Sequence, residues 1–459
     1  MTGIDAACVI FLMAVVLPGA YAAEEQPISL IPNGDFQGEV QDDLPNGWTF
    51  KAARPSLAPR FSVASDSNRR CLYVSGNGNP DCMGWVAAHV QIERGKTYWF
   101  RARFRKSKSL DPLQHLLFVV AAYGGSQGMA EFHRLKDDRV EGESRICFAG
   151  EGKLDAEVRI LCRLSADGEA WIESVSLTET TPLPPRWVRV ACMHGPGSLD
   201  GYNLKTFSKV LDAAGKEKAD LTLLPEYING EETPEPVTGP SATLMSEKAK
   251  KYRMYVAGTI GREEPVTKRL YNSALLFDRD GKQIGCYDKI HLDGPEFHWE
   301  GVTPGEKVPV FETDFGKVGF MTCYDSGFGD VAELVALKGA DILLFPNLGY
   351  DRGLLHARAS DNAINIVTSS RGGGYGVWDV TGRDISAAAP GDGPNAFYRD
   401  VVQTKVADEG LLLVTLDLNA PATGGGTRMP VPRSKRHLSN QRTWLEDAIK
   451  QEKQRWWAE

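Results

Sequence analysis

The segment KVGFMTCYD, residues 317–325, is an apolar run of strand length that ends in a cysteine and an aspartate. The second half of the chain contains further runs of this kind: WVRVACMH, DLTLLPE, YVAGTI, SALLFD, QIGCYDKIHL, DILLFPN and INIVTSS. Helical patterns lie between several of them: LKTFSKVLDAAGKEK, SATLMSEKAKKYR, DVAELVALKGA and LLHARASDNA. Such alternation predicts an α/β domain, which we place at residues 187–435. The turn signal FDRDGK predicts a hairpin between two adjacent strands of this domain.

The first part of the chain has a different pattern. Residues 27–179 alternate β-rich runs, such as RCLYVSG and KTYWFRARFR, with turns rich in Gly, Asn and Pro, which predicts an all-β sandwich. The proline-rich residues 180–186 indicate an extended linker, and residues 436–459 indicate a C-terminal helical extension. The stretches LIPNGDFQG, LPNGWTF and WIESVSL resemble galactose-binding-like jelly-roll modules of exported enzymes. The resemblance implies an accessory domain, either one that binds glycans or one that is only structural.

The N-terminus has the pattern of an export signal. Residues 6–17, AACVIFLMAVVL, form a short apolar core, and small residues follow at an A-x-A site, residues 20–22. The core is too short to be a stable membrane span. We therefore predict a signal peptide at residues 1–23 and a periplasmic or extracellular protein. The leading MTGID lacks Lys and Arg, so a misplaced start or an uncleaved anchor is the alternative.

Composition excludes some functional classes. The chain has 459 residues, 42% of them hydrophobic, which is enough for packed cores. Its formal net charge is −8, which argues against a nucleic-acid-binding protein, because such proteins neutralise phosphates with Lys and Arg. No stretch after the N-terminal run is long and apolar enough to span a membrane.

The cysteines fall into two groups. Four lie in the β-rich part, Cys71, Cys82, Cys147 and Cys162, and an oxidising compartment would allow them three complete disulfide connectivities. Three lie in the α/β part, of which Cys192 and Cys286 are interpreted as small buried hydrophobes. The third, Cys323, needs a separate explanation.

Three polar residues follow strand-like runs, where open α/β sheets usually place their chemistry: Glu226, Lys289 and Cys323. A thiol is mostly protonated at neutral pH, and its thiolate is the nucleophile. Glu226 could accept the Cys323 proton as general base. The Lys289 ammonium and the backbone N–H of Tyr324 could stabilise a tetrahedral oxyanion. This set predicts attack on a carbonyl or nitrile carbon through a covalent acyl-enzyme.

The stretches LLPE, YDKIHL and TCYD, which carry these three residues in this order, resemble the carbon–nitrogen hydrolase (nitrilase) superfamily over residues 186–419. The resemblance implies a four-layer α-β-β-α sandwich and a Glu–Lys–Cys triad. It also implies that no cofactor or metal is needed and that the protein forms a homodimer or a higher oligomer.

A second active-site glutamate is expected from the same resemblance. WEGVTPG, residues 299–305, resembles the E-G-x-x-P-G stretch of the family's amidases, which assigns the role to Glu300, with Glu296 as the competing candidate. His291 is interpreted as structural. The chain departs from the family at Asp288, where members often have Arg, and after CYD, where many have a Pro-Glu pair.

The residue after the nucleophile bears on the reaction. Nitrile-cleaving members commonly have Trp there, whereas this chain has Tyr324, so we expect hydrolysis of a small linear amide. An N-carbamoyl-amide hydrolase or a nitrilase with the same triad is the alternative. Alternatives from other classes are a non-catalytic secreted glycan-binding protein, a papain-like protease, and a zinc site of three cysteines, whose spacing matches no zinc pattern.

Overall fold

The structure is a computed structural model that describes residues 28–419, with gaps, and residue 450. The gaps are residues 67–68, 113, 123–124, 130, 136–137, 149, 196–203, 231–232, 299–300 and 387–397. The predicted signal peptide at 1–23 lies outside the described residues, as does the C-terminal extension at 436–459 apart from residue 450. No helix among the described residues has the length and apolar composition needed to cross a bilayer.

The N-terminal part is built from antiparallel strands, as its alternating sequence predicts. The strands are β1 (Val40–Gln41), β2 (Leu44–Pro45), β3 (Trp48–Lys51), β4 (Arg60–Asp66), β5 (Arg69–Ser75), β6 (Met83–Glu93), β7 (Thr97–Lys106), β8 (Leu116–Ala122), β9 (Gly125–Gly128), β10 (Glu131–Arg134), β11 (Arg139–Cys147), β12 (Lys153–Arg163) and β13 (Glu169–Thr180). A short 3-10 helix, Pro55–Leu57, precedes β4.

These strands form two large sheets. One sheet has the order β10-β11-β7-β13-β5-β4, the other has the order β3-β6-β12-β8-β9, and β1 pairs with β2. Along β7 and β12 the buried side chains alternate with more exposed ones, because successive side chains point to opposite faces. One hydrophobic cluster takes side chains from both sheets, for example Phe104 of β7 and Ile160 of β12. The prediction of an all-β N-terminal part is therefore confirmed.

The second part of the chain is α/β. Its strands are β14 (Trp187–His194), β15 (Leu221–Leu223), β16 (Tyr255–Glu263), β17 (Leu270–Phe277), β18 (Gln283–Asp288), β19 (Val310–Glu312), β20 (Lys317–Phe320), β21 (Ile342–Asn347), β22 (Asn365–Ser370), β23 (Gly376–Trp378), β24 (Tyr398–Val406) and β25 (Glu409–Asp417). Its helices are α1 (Leu204–Lys216), α2 (Pro240–Tyr252), α3 (Gly294–His298), α4 (Asp330–Leu337) and α5 (Arg352–Asn362). Each of the four predicted helical patterns coincides with a helix.

The twelve strands form one mixed sheet. β14, β15 and β16 are parallel neighbours, as are β20, β21 and β22, whereas β16, β17 and β18 are antiparallel. β17 and β18 form the hairpin that FDRDGK predicts. A single residue pair, His194 with Ser370, joins β14 to β22 between the two halves of the sheet.

Both faces of the central strand β14 are buried, and each face belongs to a different cluster. Val190 and Cys192 join a cluster with side chains of β20–β22, α4 and α5. Ala191 and Met193 point to the opposite face, where they join a cluster with α1 and α2. Burial on both faces explains why residues 190–193 of this strand, VACM, are all apolar.

A glycine holds the segment after β18 in place. The backbone N–H of Gly305 donates to the carbonyl oxygen of Lys289 at 2.8 Å. A Cβ atom on Gly305 would lie 2.0 Å from the carbonyl oxygen of Asp288, which belongs to rigid backbone. The residue that follows β18 therefore has its position set by a close backbone contact.

We expect Gly305→Ala to lower the free energy of unfolding by about 1–3 kcal/mol, because the clash must be relieved by a backbone shift. Urea denaturation measures this change. Gly294→Ala is the matched control, since nothing lies within 4 Å of a Cβ at that position. Equal stability losses in the two variants would contradict the close contact.

Candidate active site

The three residues singled out by the sequence converge in the structure. Glu226 comes three residues after β15, Lys289 directly follows β18, and Cys323 comes three residues after β20. The Lys289 Nζ atom lies 3.1 Å from Glu226 Oε1. The charges of Glu226 and Lys289 both act on the pKa of the Cys323 thiol, which lies near them. Residues nearly one hundred positions apart therefore share one site, as the sequence predicts.

Lys289 is a buried cation between two carboxylates. Its exposed fraction is 1%, and that of Glu226 is 0%. The second carboxylate is Glu296 of α3, whose Oε2 atom lies 2.7 Å from Lys289 Nζ. A lone buried ammonium would cost several kcal/mol, and two carboxylates compensate that cost. Glu300, the preferred sequence candidate for the second glutamate, lies outside the described residues, and the structure brings the competing candidate Glu296 onto Lys289.

A buried asparagine that the sequence analysis did not identify holds the two carboxylates. Asn272 of β17 donates through Nδ2 to Glu226 Oε1 at 2.6 Å and to Glu296 Oε1 at 2.7 Å. Tyr227 donates its hydroxyl to the same Glu296 oxygen at 2.8 Å. The sequence could have indicated Asn272 by its position in the apolar run YNSALLF, because a buried polar side chain needs polar partners.

The pKa values follow from burial and from these charges. Burial raises the pKa of the Cys323 thiol, Glu226 raises it further, and Lys289 lowers it. Burial also raises the pKa of Glu226, which the Lys289 charge partly offsets. Burial would lower the pKa of Lys289, but the charges of Glu226, Cys323 and Glu296 raise it above its usual value. The resting site therefore has a thiol beside a carboxylate that is more basic than usual.

Glu296 has the opposite tendency. Burial would raise the pKa of its carboxyl group, but the Lys289 ammonium and the Asn272 amide hold that pKa below its usual value. The two glutamates that contact Lys289 therefore differ in pKa: that of Glu226 is raised and that of Glu296 is lowered. This difference suits Glu226 to proton transfer and Glu296 to a permanent negative charge that orients Lys289.

The backbone at Cys323 has an unusual conformation. Its φ angle is +43°, in the left-handed region that non-glycine residues rarely adopt. Cys323 opens a short 3-10 helix, Cys323–Gly327, and its thiol lies 4.0 Å from the carbonyl oxygen of Gly349. Strained residues of this kind persist only where the surroundings hold them, and they cluster at functional sites.

Asp325 stabilises the backbone next to Cys323 through hydrogen bonds. Its buried carboxylate accepts from the backbone N–H of Thr322 at 2.9 Å and from that of His291 at 2.9 Å. It also accepts from the Tyr287 hydroxyl at 2.6 Å. Thr322 directly precedes Cys323, and His291 follows Lys289 by two residues. One side chain therefore fixes the Cys323 segment relative to the Lys289 segment.

The remaining sequence candidates lie close by. The Tyr324 side chain is 49% exposed, and its ring contacts that of Phe328. His291 stacks on Phe328 at 4.1 Å between ring centroids and lies 3.0 Å from a carboxylate oxygen of Asp330. These contacts suit the structural role expected for His291. The roles of Tyr324 and its N–H stay predictions.

The unusual Asp288 has a partner of its own. Arg262 contacts both of its carboxylate oxygens, at 2.9 and 3.0 Å, and the Ser273 hydroxyl donates to one of them. The charge of Asp288, which directly precedes Lys289, is therefore neutralised by Arg262 and not by a residue of the candidate site.

The other two cysteines of this part are also thiols. Cys192 is fully buried, Cys286 lies in β18, and neither forms a disulfide. Within the described part of the chain, no group of three or more His, Cys, Asp and Glu side chains is arranged to hold a metal ion.

Removing the shared cation tests the charge balance of the site. We expect Lys289→Met to lower the free energy of unfolding by about 3–5 kcal/mol at neutral pH, because two buried carboxylates lose their partner. Without Lys289 the folded-state pKa values of these carboxylates rise above their unfolded values. The folded state then binds more protons than the unfolded state, so the stability of the variant falls as the pH rises.

Urea denaturation of Lys289→Met at about pH 4, where carboxylates take up protons, and at about pH 8 measures this dependence. The matched control is Lys317→Met, which removes an exposed lysine paired with Glu312 at 2.8 Å and should change little at either pH. A deficit of Lys289→Met relative to wild type that shrinks with rising pH would contradict the charge assignment.

Comparison with known proteins identifies a family and several relatives. Residues 189–375 match the carbon–nitrogen hydrolase family. The omega-amidase NIT3 of Saccharomyces cerevisiae is 31% identical over 239 residues, which cover 43% of this chain and 81% of the relative. The omega-amidase NIT2-A of Xenopus laevis is 33% identical over 189 residues, 37% of this chain and 68% of the relative.

Among solved structures, the crystal structure of Saccharomyces cerevisiae Nit3, a member of branch 10 of the nitrilase superfamily, aligns with 25% identity and a TM-score of 0.41. The alignment covers 52% of this chain and 92% of that chain. On the family match and the sequence identity to these relatives, the chain belongs to the carbon–nitrogen hydrolase family, and it is an amidase-like hydrolase.

Proposed function

We propose that the protein hydrolyses a small linear amide through a Cys323 thioester and releases ammonia or an amine. The observation that carries the proposal is the buried Lys289 ammonium between Glu226 and Glu296, with Glu226 and Lys289 near the Cys323 thiol. Relatives described as omega-amidases support the choice of an amide. The triad assignment is part of the proposal.

The first half-reaction forms the acyl-enzyme. Glu226 takes the Cys323 proton, and the thiolate attacks the amide carbonyl carbon. The oxyanion that forms is stabilised by the Lys289 ammonium and by the backbone N–H of Tyr324. Protonated Glu226 then gives its proton to the leaving nitrogen, the C–N bond breaks, and ammonia or an amine departs.

The second half-reaction releases the acid. Glu226, again a carboxylate, takes a proton from water, and the hydroxide attacks the thioester carbonyl. The tetrahedral intermediate collapses, the C–S bond breaks, and Cys323 regains its proton from Glu226. Throughout, Glu296 and Asn272 hold Lys289 and Glu226 in position. Water and amide are consumed, and the enzyme returns to its starting state.

Two other reactions use the same residues. An N-carbamoyl-amide or a nitrile also presents an electrophilic carbon to Cys323, and the alternative function is hydrolysis of one of these. A non-catalytic glycan-binding protein is the alternative from another class, and the complete charge network around Cys323 argues against it.

We expect purified full-length protein to release ammonia from one or more small linear amides, and Cys323→Ala to lose at least about 1,000-fold in kcat/KM, because the nucleophile is gone. The measurement is ammonia release over a panel of amides, carbamoyl compounds and nitriles, with intact-protein mass spectrometry to detect the acyl adduct. Cys71→Ala, in the N-terminal part, is the matched cysteine control. An adduct or full turnover in Cys323→Ala would refute the mechanism.

We further propose that residues 1–23 direct export and that the hydrolase domain spans residues 187–435 and forms a homodimer or a higher oligomer. Its two half-sheets would face each other between pairs of helices, in a four-layer α-β-β-α sandwich. The two clusters on opposite faces of β14 support this arrangement.

For residues 27–179 we propose a galactose-binding-like jelly-roll module that binds a glycan. A cavity of about 640 Å³ supports this assignment; its lining includes Trp99, Arg101, Arg103 and Glu141. The Arg101 guanidinium lies 3.9 Å from the Trp99 ring centre, and Glu143 accepts from the indole N–H at 2.8 Å. Polar groups beside aromatic carbon are the usual surroundings of a hydroxyl-rich ligand.

A glycan array screened with full-length Cys323→Ala, followed by calorimetry on any hit, tests this role. We expect Arg101→Ala to weaken binding about tenfold or more, since the residue lies in the cavity. Arg159→Ala is the matched control, because Arg159 also lies over a tryptophan, Trp85, but on the other sheet. Binding that Arg101→Ala leaves unchanged would place the ligand elsewhere.

A further inference from the structure

Two of the four cysteines in the N-terminal part are neighbours in the same sheet. Cys162 of β12 lies opposite Gly84 of β6. Cys82 directly precedes β6, and its carbonyl oxygen accepts from the backbone N–H of Leu164 at 2.7 Å. Cys82 thus continues the pairing of the two strands. Since Cys82 and Gly84 are two residues apart, the side chains of Cys82 and Cys162 point to the same face as diagonal neighbours.

That face is the core between the two sheets. Both cysteines have an exposed fraction of 0%, and both belong to the cluster that the two sheets share. Burial raises the pKa of Cys162 to about 12, and the neighbouring Cys82 contributes to the shift. The two side chains lie next to each other in the core as thiols, and the Cys82 thiol donates to the carbonyl oxygen of Ser165 at 2.9 Å.

The other two cysteines are too far apart to pair with each other. Cys71 lies in β5 and Cys147 in β11, and strands β7 and β13 lie between them in the sheet. Three strand spacings amount to about 14 Å. A disulfide requires Cα atoms within about 7 Å.

Nor do Cys71 and Cys147 face the buried pair. Each is next to a core residue, Leu72 and Ile146 respectively, so its own side chain points to the opposite face of the sheet. Burial and the charge of Glu173 raise the pKa of Cys71, which places Glu173 close to it on that outer face. Cys71 and Cys147 can therefore bond neither with each other nor with Cys82 or Cys162. Every pairing that uses all four cysteines would require such a bond, so none of the three complete connectivities is possible.

We propose that Cys82 and Cys162 form a single disulfide that joins β6 to β12, and that Cys71, Cys147 and the nucleophile Cys323 stay thiols. The oxidant is another disulfide, of a small molecule or of a thiol–disulfide oxidoreductase. One cysteine thiolate attacks the oxidant and forms a mixed disulfide, and the second cysteine displaces the oxidant from it. Two electrons and two protons pass from the protein to the oxidant, which leaves as two thiols.

The bond forms while the chain folds, because both thiols are out of reach of solvent in the folded protein. It closes a loop of roughly 80 residues, and loops of that length gain the most from a cross-link through the reduced entropy of the unfolded chain. We expect the bond to raise the melting temperature of the N-terminal part by roughly 5–15 °C. The proposal does not depend on the hydrolase function.

The test is oxidative refolding of the full-length protein in a buffer of reduced and oxidised glutathione. Free thiols are alkylated, and peptides are mapped by mass spectrometry without reduction. No Lys or Arg lies between Cys71 and Cys82, so trypsin must be combined with a protease that cleaves before aspartate, at Asp81. The expected product is one cross-linked pair, Cys82 with Cys162, and alkylated Cys71, Cys147 and Cys323.

Two variants keep the test decisive. Cys82→Ser should lose the cross-link and the melting-temperature difference between oxidised and reduced samples, whereas Cys71→Ser should keep both. Alkylation of both Cys82 and Cys162 in refolded wild type overturns the proposal, and so does a cross-link to Cys71 or Cys147. The wild-type peptide map gives this answer even where a variant fails to fold.

Discussion

The buried ammonium of Lys289 is the constraint around which the candidate active site is arranged. A cation with an exposed fraction of 1% requires negative partners, and Glu226 and Glu296 contact it at 3.1 and 2.7 Å. Those carboxylates in turn need donors, which Asn272 supplies to both. The network therefore accounts for why strands that are remote in the chain must end at one point, and why each of these polar side chains is tolerated in the interior.

The same network divides the chemistry between two glutamates. Glu226 has a raised pKa and lies near the thiol, whereas Glu296 has a lowered pKa and contacts Lys289, Asn272 and Tyr227. A base must be able to accept a proton, and an orienting charge must not. One lysine placed between two carboxylates with different surroundings meets both requirements.

Asp325 fixes the backbone on which Cys323 and Lys289 are carried. By accepting from Thr322, His291 and Tyr287, it ties the left-handed turn at Cys323 to the segment that carries Lys289. The N-terminal part is held by a different principle, a core shared by two sheets, in which Cys82 and Cys162 are neighbours. The cysteines of the chain thus lie in two kinds of surroundings. Cys323 lies near the charges of Glu226 and Lys289, whereas Cys82 and Cys162 lie in an apolar core.

The sequence by itself determined the α/β and all-β parts, four of the five helices in the described residues, and the positions of Glu226, Lys289 and Cys323. Each of these depends on local periodicity or on a polar residue at the end of an apolar run. Only the tertiary structure decided that Glu296 contacts Lys289, that Asn272 bridges two carboxylates, and that Cys82 neighbours Cys162. These contacts join elements far apart in the chain. Local patterns carry no information on which remote side chains meet, because that depends on strand order and register, which packing of the whole domain sets.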